Sequence, residues 1–348
     1  MTRYRIEPRP RFSDLAWYPG GVSTIENDTL RLCYVGSGKA GLDLIFSYLA
    51  TKGTLPDKTT PILMARWLGT WVYFQAIPFG FPVIDPNTRA PVAVCYHQYG
   101  FPQDMDRVCG IAQDRGMVLI EDCAHAADSR YKGKPVGSFG QFAMFSFSKF
   151  AFCYALGAVV SRDERFYHFV EERLGRASAA LRHLINGFKL LDEANSSRET
   201  PSLTQSFHGF RKMAYSRYGD QVTPGGGARR LWSRKRAREF ALRREHYRMI
   251  RAEVDSFGMC DHLEIDDVSP YAVPLIFDQV GMRTLVETLR SEGIEAGLYQ
   301  FDVARCVFEP DFRQCALVPV NSDMAGRGME ILLSSLRKVG RSRARASA

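Results

Sequence analysis

The stretch that decides the fold runs from Met117 to Lys149 and reads MVLIEDCAHAADSRYKGKPVGSFGQFAMFSFSK. It opens with a short apolar run and closes with a second one. Runs of this length are typical of strands that are buried on both faces of a parallel sheet. Asp122 and His125 follow the first run, while Ser146 and Lys149 end the second. Because open α/β sheets bind ligands at the carboxyl ends of their strands, these four side chains are predicted to meet at one edge of one sheet.

Strand-like and helix-like segments alternate along the rest of the chain. Leu30–Val35 and Val92–Tyr96 have strand patterns, and the helices predicted after them include 104–115, 166–174 and 177–191. This alternation favours an α/β fold with a mostly parallel sheet. After a long helix at about 231–257, shorter elements indicate a second module. We predict a large domain over residues 1–240 and a small α+β domain over 241–348, which ends in a disordered basic tail.

The composition of the 348 residues is that of a soluble globular protein. The N-terminal residues contain no apolar core, and no stretch reaches the roughly 20 apolar residues of a membrane-spanning helix. These features predict a cytoplasmic protein without a membrane span. The eight cysteines form no C-x-x-C pair, which argues against a zinc site, and we predict no metal.

The net charge of +8 is concentrated between Tyr215 and Arg251, a segment that contains eleven basic and three acidic residues. A solvated helix face explains such a segment, and a patch for a phosphorylated substrate is an alternative. Nucleic-acid binding is the third interpretation, but no zinc-finger, zipper or RNA-binding signature accompanies the charge. We therefore expect no nucleic-acid partner.

The segment Gly36–Gly41 reads GSGKAG between a predicted strand and a predicted helix. Taken alone it matches the G-x-G-x-x-G fingerprint of dinucleotide-binding proteins. That interpretation requires an acidic residue about 20 positions later, whereas the next strand-like run ends in Arg66 and Trp67. An NADP site could use the arginine, so this alternative stays open. Both interpretations place backbone N–H groups at a helix start, where they can bind a phosphate.

The residues around Lys149 in the sequence indicate that its amine acts as a nucleophile. A lysine after a strand is most often surface charge, but Lys149 lies between Ser148 and Phe150 at the end of an apolar strand. An amine held in apolar surroundings is a usable nucleophile. Asp122 supplies an acid at the same sheet edge, and Gly36–Gly41 supplies a phosphate cradle. Pyridoxal phosphate needs a lysine, an acid beside its ring nitrogen and a phosphate site, so the residues themselves predict this cofactor.

Several segments resemble the DegT/DnrJ/EryC1/StrS family of sugar aminotransferases. IEDCAHA (120–126) is similar to the family's IEDAAQA, YKGKPVGSFG (131–140) to Y-x-G-x-x-x-G-S-x-G, and FSFSK (145–149) to F-S-F with the Schiff-base lysine. SGKAGL (37–42) is similar to SGTAAL, YHQYGFPQDMD (96–106) to VHLYGQPADMD, and RTLVETLRSEGIEAGLY (283–299) to the small-domain segment. The resemblance implies fold type I of the pyridoxal-phosphate-dependent transferases, acting as a homodimer with sites between the subunits.

The resemblance also implies catalytic roles. Lys149 matches the lysine that binds the cofactor and later carries the proton, and Asp122 matches the partner of the ring nitrogen. His125 stands where the family has glutamine, beside the ring hydroxyl, although a purely structural histidine is an alternative.

The remaining cofactor-binding residues follow from the same segments. Ser146 by its hydroxyl, and Gly38 and Lys39 by their backbone N–H groups, are expected to hold the phosphate. Trp71 or Trp67 is expected to cover the ring face. The aromatic stretch 67–84 that contains both is otherwise predicted to lie in the core.

Some family features are missing from the chain. Ser146 and Lys149 are two residues closer than in many members, the acid expected in 154–158 is absent, and the G-x-N-x-R motif that reaches the neighbouring subunit is replaced by 215–227. We predict an aminotransferase that moves an amino group from an amino acid, expected to be glutamate, to a keto sugar. Nucleotide-linked keto sugars are among the expected acceptors. The alternatives are another pyridoxal phosphate reaction or a catalytically idle regulatory relative. Family dehydratases have histidine in place of the lysine, so Lys149 argues against that branch.

Overall fold

The stretch 117–149 forms two neighbouring strands of one sheet, as predicted. In the computed structural model, which describes residues 3–8, 24–27, 30–151, 156–174, 226–256 and 267–347, Val118–Asp122 and Phe142–Ser146 pair in parallel. Both strands are almost completely buried. A tight turn of 3-10 helix, Phe147–Lys149, follows the second strand directly and carries the lysine at its end.

These strands belong to an eight-stranded sheet. Its members, numbered in chain order, are β1 (Thr24–Asn27), β2 (Leu30–Val35), β3 (Pro61–Met64), β4 (Phe81–Val83), β5 (Val92–Tyr96), β6 (Val118–Asp122), β9 (Phe142–Ser146) and β10 (Gly157–Ser161), with the short hairpin β7 (Arg130–Tyr131) and β8 (Lys134–Pro135) between β6 and β9. The spatial order is β1-β2-β10-β9-β6-β5-β3-β4. The five strands from β9 to β4 are parallel, and β10 pairs antiparallel with both β9 and β2. The predicted α/β class with a mostly parallel sheet is confirmed.

Helices cover both faces of this sheet. They are α1 (Gly38–Thr51), α2 (Thr70–Ala76), α3 (Met105–Asp114), α4 (Glu164–Leu174) and the long α5 (Gly226–Asp255). The core on one face contains α1 and α4, and the core on the other face contains α3 and α5. Burial on both faces explains why the central strands are continuous apolar runs rather than alternating patterns.

The topology argues against the dinucleotide-binding interpretation of Gly36–Gly41. Strand β2, which precedes this loop, has an antiparallel neighbour on each side. The next strand after α1 is β3, which lies five positions away in the sheet order. A dinucleotide-binding unit requires adjacent parallel strands joined through the helix. Only the phosphate-cradle interpretation of this segment fits the fold.

A second, smaller sheet follows α5. It consists of β11 (Ala272–Leu275), β12 (Gly297–Asp302) and β13 (Phe312–Pro319), antiparallel in the order β11-β13-β12, and α6 (Gln279–Ser291) and α7 (Arg327–Ser347) pack with it. One hydrophobic core runs from the large sheet through α5 into this module. The predicted α+β module is present, and its boundary at residue 240 stays a prediction.

Three sequence-based expectations differ from the structure. The aromatic stretch 67–84 was expected in the core, but the side chains of Trp67, Phe74 and Phe81 are at least half exposed. The tail expected to be disordered continues α7 to residue 347. Arg243 of α5 is fully buried, although the basic segment that contains it was interpreted as a solvated helix face.

Other predicted features fall outside the described residues. They are the helix at 177–191 and most of the segment 215–227 that replaces the family's G-x-N-x-R motif. Within the ranges that are described, none of the helices combines the length and the apolar character that a membrane crossing needs.

Candidate active site

The edge of the sheet where the predicted residues lie is formed by the carboxyl ends of β2, β9, β6 and β5 and by the amino end of the antiparallel β10. Gly157 of β10 is opposite Val35 of β2 on one side and Ser146 of β9 on the other. Asp122 of β6 pairs with Met144 of β9, and also with Tyr96 at the end of β5. A single sheet edge therefore carries, in this order, the start of α1, Lys149, Asp122 and the loop after β5.

A cleft of about 430 Å³ opens above this edge. Lys149 and His125 line it, as the sequence predicted. It is also lined by residues from three distant parts of the chain: Glu7 near the N-terminus, Trp67 before α2, and Tyr271 before β11. The site is thus assembled from both sheets and from the N-terminal segment.

Lys149 is held at the cleft by a carboxylate. Its side chain is 32% exposed, and its Nζ lies 3.4 Å from Oε1 of Glu7. The same Nζ lies 5.4 Å from the centre of the Tyr271 ring. The surroundings of the amine are therefore partly aromatic and partly charged, rather than wholly apolar as the sequence had suggested.

Asp122, at the end of β6, is almost completely buried, with 1% exposure. Its Oδ1 accepts a hydrogen bond from the N–H of Ala124 at 3.0 Å. Burial raises the pKa of Asp122 from 3.8 to about 6, although the Ala124 N–H and the charges of Lys149 and His97 act in the opposite direction. A cation placed beside this carboxylate would offset the cost of burying its charge.

His125 is held in one orientation by two aromatic residues. Its ring stacks on Tyr271 with the ring centres 4.0 Å apart and 9° between the planes. Its Nδ1 is hydrogen-bonded to the hydroxyl of Tyr96. Burial lowers the pKa of His125 well below 6.5, and the charges of Lys149 and Arg243 lower it further, so the ring is neutral.

The partner of His125 fixes the position of the ring proton. Burial raises the pKa of Tyr96 well above 10, so its hydroxyl keeps its proton. Among the described residues, Nδ1 of His125 is hydrogen-bonded to this hydroxyl. With the phenol as the donor of this bond, the proton of the neutral imidazole sits on Nε2, which makes this nitrogen a hydrogen-bond donor.

Gly38, at the start of α1, packs tightly against the end of β9. The side chain of Ser37 caps the helix by accepting from the N–H of Ala40 at 3.1 Å. A Cβ atom on Gly38 would lie 3.0 Å from Cβ of Ser146 and 3.2 Å from Sδ of Met144. Glycine at this position lets the first turn of the helix approach Ser146, and the first N–H groups of a helix are natural anion ligands. Gly38 and Ser146 are thus brought together as predicted, with the exposed Lys39 next to them.

The two tryptophans differ in what the structure describes. Trp67 is 56% exposed, lines the cleft and has a φ of 64°, in the left-handed region that a bulky residue adopts rarely. The backbone of Trp71 lies in the first turn of α2, while its side chain is outside the described part of the structure. Its assignment to the ring face stays a prediction.

A second buried cluster near the site is satisfied by hydrogen bonds. His97, Glu121 and Cys123 place their ligand atoms within 4.8 Å of one another, a spacing compatible with a metal. However, the Glu121 carboxylate accepts from the N–H groups of Gly137, Phe139 and Gly140 at 2.7–2.8 Å. It also accepts from Nε2 of His97 at 3.1 Å.

The second nitrogen of His97 is also engaged, because Nδ1 accepts from the N–H of Gln103 at 3.1 Å. Neither ring nitrogen keeps a lone pair for a metal. Glu121 thus holds the G-S-x-G turn that connects β8 to β9.

Sequence reasoning did not assign Glu7, Tyr96 or Tyr271 to the site. Tyr96 carried a signal, because it stands where the resembling motif has valine, next to a histidine-for-glutamine change at 125. The sequence contained no comparable signal for Glu7 or Tyr271. They reach the cleft through contacts with residues more than 140 positions away.

Comparison with known proteins agrees with this architecture. Residues 82–182 match the sequence model of the DegT/DnrJ/EryC1/StrS aminotransferase family. GDP-perosamine synthase of Escherichia coli O157:H7 is 43% identical over 155 residues, which cover 42% of each chain. UDP-N-acetyl-3-dehydro-alpha-D-glucosamine 3-aminotransferase of Acidithiobacillus ferrooxidans is 34% identical over 119 residues, covering 34% of this chain and 31% of its own. The matches thus span less than half the length of these relatives.

The fold has solved counterparts. The putative sugar aminotransferase Spr1654 of Streptococcus pneumoniae, solved in its PMP form, superposes with a TM-score of 0.62 at 14% identity, over 96% of this chain and 99% of that one. The same protein has also been solved in a PLP form. At this identity the likeness concerns the fold, and it confirms the predicted fold type I architecture. Within the segment 82–182, the chain is therefore similar to the DegT/DnrJ/EryC1/StrS aminotransferase family.

Proposed function

We propose that this protein is a pyridoxal-phosphate-dependent aminotransferase that moves an amino group from an amino acid to a keto sugar. The observation that carries the proposal is that Lys149 and Asp122 lie at the same edge of the sheet. Asp122 ends β6, Lys149 lies in the turn directly after the neighbouring parallel strand β9, and Gly38 at the start of α1 packs against Ser146 at the end of β9. The family of residues 82–182 and the names of the relatives support the same class of reaction.

The residues of the site fit the cofactor. Asp122 is a buried carboxylate whose charge is stabilised when a cationic ring nitrogen binds next to it. Gly38 lets the first turn of α1 approach Ser146 closely, so the helix N–H groups and the Ser146 hydroxyl are close enough to bind the same phosphate. When bound, pyridoxal phosphate supplies an aldehyde that takes up the amino group and a ring that accepts the electrons left by a departing proton.

The protein's own groups then have distinct tasks. In the first half of the reaction, Nζ of Lys149 would take the proton from the α carbon of the amino donor and pass it to the cofactor carbon. In the second half it would move a proton in the reverse direction, to the sugar carbon that receives the amino group. A positioned acid–base group of this kind contributes roughly 10²–10⁴-fold to the rate. Nε2–H of His125 would donate a hydrogen bond to the bound cofactor, and Asp122 would keep the cofactor's ring nitrogen protonated.

The substrates and the assembly are part of the proposal. We expect glutamate as the amino donor. The expected acceptor is a keto sugar, either free or linked to a nucleotide. A cytoplasmic location and a homodimer complete the proposal, and both rest on the sequence and on the family resemblance. The sugar classes in the relatives' names support the acceptor class.

The visible spectrum of the purified protein tests the proposal. We expect a yellow protein after incubation with pyridoxal phosphate, and loss of the colour when glutamate is added. Borohydride reduction followed by peptide mass spectrometry should place the adduct on Lys149, and K149A is the matched control. An adduct on another lysine, or none, would refute the proposal. Transfer of ¹⁵N from labelled glutamate to a sugar separates transamination from elimination.

A further inference from the structure

Glu7 brings a carboxylate into the cleft from the N-terminal segment. Its Oε1 lies 3.4 Å from Nζ of Lys149 and accepts a hydrogen bond from the hydroxyl of Tyr271 at 3.1 Å. The Glu7 side chain is 44% exposed, so it faces the open cleft. One carboxylate oxygen therefore contacts both the amine and the phenol.

The segment that carries Glu7 is firmly anchored. The N–H of Ile6 donates to Oε2 of Glu295 at 2.9 Å, and the Ile6 side chain is buried in the core. The buried amide of Asn321 donates to the carbonyl oxygens of Arg5 and Ile6 at 2.6 and 3.0 Å. The position of Glu7 at the cleft is thus specified by side chains of the small module.

Tyr271 is fixed opposite the carboxylate. Its N–H donates to the carbonyl of Tyr99 at 2.8 Å, and its own carbonyl accepts from Nη1 of the buried Arg243 at 2.8 Å. Its ring stacks on His125 and lies 5.4 Å from Nζ of Lys149. A carboxylate together with an aromatic ring is a combination that binds ammonium groups.

We propose that Glu7 and Tyr271 form a binding site for a primary ammonium group. In the free protein the site holds the amine of Lys149. It holds the α-ammonium of the donor once the nitrogen of Lys149 is committed to the cofactor, so this assignment rests on the proposed function.

The proton balance of the amine exchange is consistent with one such site. The carbon–nitrogen bond to Lys149 breaks as the carbon–nitrogen bond to the donor forms. Two protons would pass from the donor nitrogen to the nitrogen of Lys149, which is released as a neutral amine able to take the α-carbon proton. The third proton would stay on the donor nitrogen, so the positive charge that faces Glu7 remains on the donor during the exchange.

Labelling of Lys149 in the cofactor-free protein tests the site directly. Acetic anhydride reacts with free amines, and peptide mass spectrometry reports the extent at Lys149. Partly exposed ion pairs contribute about 0.2–1 kcal/mol, so E7Q should raise the labelling rate about 1.5- to 5-fold at pH 8. E7D keeps the charge and should give a smaller rise. E245Q, at an exposed position of α5 that does not line the cleft, should match the wild type.

The loaded protein gives the second measurement. E7Q should still take up pyridoxal phosphate, and the concentration of L-glutamate that bleaches half of the colour should rise by a similar factor of about 1.5 to 5. A role of Glu7 in anchoring alone would leave the labelling of Lys149 unchanged.

The outcomes separate the two proposals. If the wild type binds no cofactor, the proposed function fails, while the labelling rates still decide whether the ammonium site exists. Equal labelling of Lys149 in E7Q and in the wild type would overturn the site, even where the yellow colour and its bleaching confirm the function. If E7Q does not fold, the comparison of E7D with the wild type decides in the same way.

Discussion

Replacing Asp122 by asparagine should make the cofactor-free protein more stable above pH 6. Burial raises the pKa of this carboxyl from 3.8 to about 6, so the folded state binds the proton more tightly than the unfolded chain. For an acid shifted in this direction, stability falls as the pH rises between these values. At 1.36 kcal/mol per pH unit, the ionised carboxylate costs the folded protein up to about 3 kcal/mol above pH 6.

Asparagine removes this cost because it is neutral at every pH and has nearly the same shape. Its Oδ1 can still accept the hydrogen bond from the N–H of Ala124. An unfolding entropy of about 2.1 cal/mol/K per residue gives roughly 0.7 kcal/mol/K for 348 residues. A gain of 3 kcal/mol therefore corresponds to a rise of about 4 °C in the melting temperature at pH 8, and the gain should disappear below about pH 4.

Thermal unfolding followed by circular dichroism between pH 4 and pH 8 measures this effect. D57N is the matched control, because hydrogen bonds from Thr59 and Thr60 lower the pKa of that exposed carboxyl, and its loss should not stabilise the protein. D122N should in turn bind pyridoxal phosphate more weakly, since the ring nitrogen loses its anionic partner. A melting temperature of D122N at or below that of the wild type at pH 8 would refute the reasoning.

Three further changes test the other parts of the site. Y96F removes a hydrogen bond of about 0.5–1.5 kcal/mol, so ¹⁵N NMR should show the Nδ1–H tautomer of His125 about 2- to 10-fold more populated; an unchanged spectrum would contradict the assigned role of Tyr96. G38A should weaken pyridoxal phosphate binding about tenfold in a fluorescence titration, because overpacking costs about 1–3 kcal/mol, while G110A, with open space around it, should bind normally. E121Q places an amide N–H against backbone donors and should lower the free energy of unfolding by about 3 kcal/mol in urea denaturation; a loss below 1 kcal/mol would show that this network does not hold the turn.

The sequence was sufficient to predict the sheet edge because the relevant signals are local. The apolar runs before Asp122 and before Lys149 define buried strands, and the carboxyl ends of parallel strands share an edge. The glycine pattern at Gly36–Gly41 marks a helix start that approaches a neighbouring backbone. None of these inferences needs the partner of a distant residue.

The cleft residues that come from distant parts of the chain could not be predicted in this way. Glu7 and Tyr271 are 264 positions apart and meet through a hydrogen bond that no periodicity reports. The prediction that Trp67 and Phe81 lie in the core was wrong for a related reason. Aromatic composition predicts burial on average, whereas Phe81 is exposed because β4 lies at the edge of the sheet, and Trp67 lines the open cleft.

The two departures from the family motif at the sheet edge explain each other. A glutamine beside the ring oxygen donates through an amide that has no tautomers. A neutral histidine has one ring proton and can carry it on either nitrogen. With valine at position 96, as in the motif, Nδ1 of His125 would be buried without a partner at a cost of about 1–3 kcal/mol. When the hydroxyl of Tyr96 donates to Nδ1, the proton stays on Nε2, so under the proposed function the pair would supply the donor that the glutamine amide provides in the motif.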